Sequence, residues 1–176
     1  MLGRRDKIGT EGQEEPIKMN DIRGKTISGL KTGDVFTISR TFTEEDMVAF
    51  ASVTRDYNPV HFDNRFARAK NFQDRICHGL LTAGLVTEIG GQIGWLATQM
   101  NFKFKKPVYF GDTITCSFTI SEVDEQGWAR AEATMQNQEN LTVVEAWITG
   151  RLPGSRDIEV LEAMVAEGDP TNQRPE

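Results

Sequence analysis

A chain of 176 residues, 38 % hydrophobic and 26 % charged, is long enough for one core, since a domain of this size buries about two-thirds of its unfolded surface. A net charge of −6, a pI near 5.1 and the lack of any long Lys/Arg run exclude the electrostatic footprint of a nucleic-acid binder. Cys77 and Cys116 are far apart and outside any C-x-x-C spacing, which points to a reduced, cytoplasmic setting and not to a disulfide framework.

In chain order, residues 1–22 are polar and poor in aromatics and are expected to be disordered. Arg4, Arg5 and Lys7 are followed by the polar run Gly9 to Pro16, where a secretory signal would need an apolar segment. Val35 to Phe42 reads as a strand. Thr43-Glu44-Glu45-Asp46 has the acidic first turn of a helix N-terminus, and Met47, Phe50 and Ala51 give that helix an apolar face until it ends near Asp56. The most apolar stretch, Gly79 to Thr98, is interrupted by Glu88 and Gln92 and holds five glycines, as a buried helix does and a membrane span does not. Gly84, Gly90, Gly91 and Gly94 would each cost about 1 kcal/mol against alanine in a helix, and close approach of a sheet is the expected compensation.

Gly111-Asp112 reads as a turn between strands. Ile114, Cys116, Phe118 and Ile120 then alternate with Thr115, Ser117 and Thr119, and Ala129, Ala131, Ala133 and Met135 alternate with Arg130, Glu132 and Thr134, the period of half-buried strands. Leu141 to Leu152 is more continuously apolar, as in a strand packed on both faces or lying at a subunit contact. In the tail, 153–176, Ile158, Leu161 and Val165 recur at helical spacing, predicting a short amphipathic helix docked on its own domain. One apolar helix followed by antiparallel strands makes an α+β domain over 23–152 in which a sheet covers the helix.

The chemistry concentrates in Arg55-Asp56-Tyr57-Asn58-Pro59-Val60-His61, and both histidines of the chain, His61 and His78, fall in this neighbourhood. A carboxylate and an imidazole suit general acid–base work near neutral pH and can together hold one water. Pro59 fixes its own φ and biases Asn58 away from helix, giving a rigid turn. On the residues alone, a helix-terminating turn with a hydrogen-bonded Asp56 and a satisfied His61 stands open beside the catalytic pair. Cys77 beside His78 does not show the spatial pairing that a thiol nucleophile requires. Asp56, His61, Asp63 and His78 can be drawn as ligands, but two histidines without an H-x-x-x-H or comparable spacing form no recognised zinc pattern, and no metal is expected.

D-Y-N-P-V-H at 56–61, followed by Asp63, Ala67, Phe72 and the run Ile76-Cys77-His78-Gly79-Leu80-Leu81, resembles the signature of the MaoC-like, (R)-specific enoyl-CoA hydratases, or hydratase 2. The likeness spans roughly residues 30 to 150 and includes Gly33-Asp34-Val35, the run from Arg40 to Asp46, and Phe104 leading into Lys106-Pro107-Val108-Tyr109-Phe110-Gly111-Asp112-Thr113. It implies a single hot-dog domain, an antiparallel sheet wrapped around a long central helix (here Gly79 to about Leu96), with subunits joined as a homodimer or higher homo-oligomer. It implies reversible hydration of trans-2-enoyl-CoA to (R)-3-hydroxyacyl-CoA, with Asp56 and His61 sharing the water and no cofactor beyond the CoA of the substrate. Arg55 departs from the pattern, because many members carry glycine beside the motif aspartate; an arginine there alters the local backbone or narrows the acyl site.

Gly79, at a helix start, offers an N–H with no intrahelical partner where the dipole favours negative charge, so it can polarise a thioester carbonyl. An ordinary helix start with glycine chosen for packing is the alternative. Asn58 either hydrogen-bonds near the catalytic pair, beside the substrate, or serves as an Asx-turn residue before proline. Lys103, Lys105 and Lys106 either meet the CoA phosphates or protect a strand edge, and Arg65, Arg68 and Lys70 are equally ambiguous, so no cofactor-binding residue is assigned. Two other classes stand beside the hydratase. A 3-hydroxyacyl-(acyl-carrier-protein) dehydratase would run the same chemistry in reverse and want a basic docking patch, which the acidity disfavours. A non-catalytic acyl-CoA-binding hot-dog protein would dispense with the pair that Asp56 and His61 provide. Neither nucleic acid nor membrane is expected as a partner.

Overall fold

The computed structural model describes residues 17–18 and 22–172. A two-residue strand β1 (Ile17–Lys18) and helix α1 (Ile22–Ser28) precede strand β2 (Val35–Thr41). Helix α2 (Glu44–Thr54) starts where the acidic run predicts: Thr43 caps it, and the Thr43 and Asp46 side chains each accept from the other's backbone N–H, satisfying two amides that a helix start leaves unpaired. Short helices α3 (Pro59–Phe62), α4 (Asn64–Ala69), α5 (Gly79–Ala83) and α6 (Leu85–Ile93) lead into strands β3 (Leu96–Phe104), β4 (Thr113–Val123), β5 (Trp128–Gln136) and β6 (Thr142–Arg151), and helix α7 (Ser155–Ala166) closes the order.

The strands form one sheet in the order β1-β2-β4-β5-β6-β3, antiparallel throughout except for the parallel β1–β2 pair. Alternation on β4 and β5 turns Ile114, Cys116, Phe118, Ile120, Ala129, Ala131, Ala133 and Met135 into the core. There they join Leu85, Val86, Ile89 and Ile93 of α6 in a single apolar cluster. A sheet covering a central helix is the arrangement of the hot-dog expectation.

The central helix, however, is not one long helix from Gly79 to Leu96. It breaks at Gly84, whose carbonyl accepts both the Thr87 amide at 2.9 Å and the Thr87 hydroxyl at 2.7 Å, so a side chain competes with the regular ladder. It stops at Gly94, a left-handed cap with φ 76°, and Leu96 already belongs to β3. β6 also differs from the reading of two covered faces: Val144, Ala146 and Ile148 are buried while Trp147, on the other face, is 43 % exposed.

Of the 1–22 segment expected to be disordered, Ile17–Lys18 pair with β2 and Ile22, fully buried, opens α1 because its side chain has a core to enter; the remainder lies outside the described residues. The expected tail helix forms as α7 but buries none of its residues, and Val165 is 44 % exposed; the segment after it makes the polar contacts with the domain. Asp169 pairs with Arg23 of α1 at 3.7 Å with both side chains buried, and Gln92 of α6 donates to the Thr171 carbonyl. Among the described residues no helix is long and apolar enough to cross a membrane.

Candidate active site

The site starts at the end of α2. Arg55 takes the left-handed conformation, φ 59° and ψ 24°, which is the backbone that a glycine adopts most readily. The departure at this position therefore leaves the turn in place and acts on the backbone, and Arg55 does not line the cleft. The turn delivers Asp56, whose Oδ1 accepts from the Asn58 amide at 3.2 Å, while Oδ2 faces the two imidazoles. Asn58 Oδ1 in turn accepts from Val60 N–H at 3.2 Å and caps α3, with Pro59 in the first turn. Asn58 thus stands between Asp56 and His61 in the chain as a turn and cap residue and is not part of the cleft wall.

His61 is buried, and its Nδ1–H donates to the Ile76 carbonyl at 2.8 Å. The neutral ring must therefore present its Nε2 lone pair, and that nitrogen lies 4.0 Å from Asp56 Oδ2. The gap is too long for a direct hydrogen bond but fits one bridging water, about 2.8 Å from each partner. Burial holds the His61 pKa below its ordinary value of 6.5; the Ile76 hydrogen bond opposes this, the neighbouring His78 reinforces it, and Asp56 opposes it. The imidazole is thus kept in its proton-accepting form.

Asp56, His61 and His78 line a cleft of about 570 Å³ together with Gly79, Leu80 and Phe104. Gly79 opens α5, and a Cβ there would lie 2.8 Å from the Phe104 ring, so any larger residue would have to push that ring aside. Cys77 also borders the cleft, but burial, with lesser help from Asp112 and Asp46, pushes its thiol up to about 12, so no thiolate nucleophile is available near neutral pH. Asp63 is turned away, capping α4 and paired with Arg65. Lys105 and Lys106 stand on the cleft wall, with Lys105 paired to Glu145 at 3.2 Å.

His78 is the member that sequence reasoning passed over as a site residue. Its ring stacks on His61 with centroids 3.7 Å apart, and its Nε2–H donates to the Asp56 carbonyl at 2.9 Å. The dipeptide His78-Gly79 at the mouth of an apolar run was the available signal. Asp56, His61 and His78 also each offer one ligand atom, all within 4.8 Å of one another, with His78 Nε2 committed to the Asp56 carbonyl.

A family model described as MaoC like domain matches residues 29–144. Over 140 residues the chain is 31 % identical to the mitochondrial 3-hydroxyacyl-(acyl-carrier-protein) dehydratase of Arabidopsis thaliana, covering 76 % of this chain and 83 % of the relative. Over 96 residues it is 33 % identical to the (R)-specific enoyl-CoA hydratase of Rhodospirillum rubrum, covering 52 % of this chain and 67 % of that one. Among solved structures, the (R)-hydratase from A. caviae involved in PHA biosynthesis superposes with a TM-score of 0.67 at 28 % identity, over 71 % of this chain and 98 % of the other.

Proposed function

The chain belongs to the MaoC-like domain family, a hydro-lyase of hot-dog fold, and from that premise we propose that it hydrates trans-2-enoyl-CoA reversibly to (R)-3-hydroxyacyl-CoA. The observation that carries the reading is the 4.0 Å gap between Asp56 Oδ2 and His61 Nε2, the separation that one water can span. The water oxygen bonds to C3 as the C2–C3 π pair moves toward the thioester, and the pair takes the water proton. The enolate oxygen is held by the Gly79 N–H, a donor worth roughly 3 kcal/mol in such a role. The pair then returns a proton to C2, so its protonation state is restored at each turnover, and the proton belongs to the coupled pair. The (R) hand is supported by relatives that carry it in their names.

A second reading has its own support. The Arabidopsis thaliana dehydratase is matched over a larger share of this chain than the Rhodospirillum rubrum hydratase, and dehydration on an acyl carrier protein uses the same pair in reverse. Measuring kcat/KM with crotonyl-CoA and with crotonyl-(acyl-carrier-protein) separates the two. We expect the CoA thioester to be favoured at least about tenfold, a carrier difference of roughly 1.4 kcal/mol. A preference of that size for the protein-borne thioester assigns the second reading, and no turnover on either sinks both.

A homodimer joined along β3 completes the proposal. β3 ends the sheet and exposes Leu96, Met100 and Phe104 by 74 %, 41 % and 52 %, an edge of unpaired backbone groups and apolar side chains that a second copy can cover.

A further inference from the structure

Asp56 lies in an exposed turn. Within it, Asp56 N–H donates to Thr54 Oγ1, Tyr57 N–H to Arg55 O and Asn58 N–H to Asp56 Oδ1, bonds that stay inside the turn and fix nothing against the core. Among the described residues, one hydrogen bond from 55–58 reaches beyond 51–61, and it is the one that His78 Nε2–H makes to the Asp56 carbonyl. Two residues before His78, the Ile76 carbonyl fixes the His61 ring. The segment that carries both is itself anchored, through Cys77 N–H to Val108 O at 2.8 Å and the Ile76–Tyr109 bridge. His78 is 1 % exposed, its ring lies at 27° to that of His61, and Phe50 packs on it at 5.1 Å. Its Nδ1 has no hydrogen-bond partner among the described residues, an arrangement that would carry a cost in an ordinary core histidine.

We infer that His78 is the positioning residue of the site: its Nε2–H holds the Asp56 backbone, and its ring face holds His61, at the separation that admits one water. The inference rests on the proposed hydratase chemistry for its kinetic arm, and has a second arm that does not. A displacement near 1 Å at a reacting centre can cost about 10²-fold in rate, so His78→Ala should lower kcat about 10²-fold while KM stays within about threefold. His78→Gln can return an N–H to the Asp56 carbonyl and should recover about tenfold over alanine, whereas His78→Phe keeps an aromatic face without the donor and should not.

The chain has two histidines, so each of these variants leaves His61 as the sole imidazole. Nitrogen-15 spectra of the labelled wild type should show His61 protonated on Nδ1 and His78 on Nε2. In His78→Ala and His78→Gln the His61 titration midpoint should rise toward its ordinary value as the stacked ring is lost. A wild type that turns over no enoyl thioester removes the function reading, and the spectra then decide the inference alone. Folded His78→Ala and His78→Phe proteins with wild-type kcat, or a folded His78→Ala protein with an unmoved His61 midpoint, would overturn it.

Discussion

Asp56 and His61 meet because a single turn solves two geometric problems. The left-handed Arg55 reverses the chain after α2, and Pro59 restarts it as α3 one residue past the Asn58 cap. With His61 held below 6.5 by burial, its Nε2 stays unprotonated through neutral pH, so the acid limb of kcat/KM should have its midpoint below 6.5; a midpoint at or above that value contradicts the assignment. Stability follows the same sign. Above 6.5 the imidazole is neutral in folded and unfolded chains alike and contributes nothing, and as pH falls below 6.5 the unfolded chain binds a proton that the folded one resists, so unfolding free energy declines. Urea titrations across this window, with His61→Gln as the reference, should show the decline diminished in the variant. Arg55→Gly should leave turnover intact and raise stability by about 0.5–1 kcal/mol, the left-handed strain of about 1–2 kcal/mol less the extra chain entropy of glycine. A loss of stability would mean that the arginine side chain has a hold on the domain.

Among the elements, α2 and the alternating strands β4 and β5 are legible in the sequence, because a capping box and a period of two are local signals. The Asp56–His61 pair is legible for the same reason, being separated by one turn. β3 is not. As an edge strand it leaves residues of both faces exposed, so no alternation marks it, and its first residues extend the apolar run of the preceding helix. The break between α5 and α6 was equally hidden, since Gly84 suits a packed helix as well as a kink. The part played by His78 depends on stacking across 17 positions of chain, from His61 to His78, which spacing cannot reveal. The close pairing of β3 with β6 at Gly150, opposite Ala97, has a direct test: a Cβ at Gly150 would lie 2.2 Å from Leu96 O and 2.4 Å from Trp95 Nε1, and neither the backbone nor the buried indole has room to yield. Gly150→Ala should therefore cost about 3 kcal/mol or more in chemical denaturation, and a wild-type midpoint would show that β3 can move aside.

At the scale of the molecule, α1 and the segment after α7 meet through the buried Arg23–Asp169 pair, and Ile22 enters the main core. What the single chain leaves uncovered is the β3 side of the sheet. Light scattering should give about twice the chain mass of 19.7 kDa, and glutamates at Leu96 and Met100 should return a monomer by placing charge on the apolar edge; a wild-type monomer at micromolar concentration would contradict the dimer. The central claim, that Asp56 and His61 share the reacting water, is tested most directly by following crotonyl-CoA hydration in the wild type, Asp56→Asn and His61→Ala, with product hand assigned by a stereospecific dehydrogenase. The account predicts an (R)-alcohol from the wild type and at least about 10²-fold loss of kcat/KM in each folded variant; hydration that survives both substitutions would place the chemistry elsewhere.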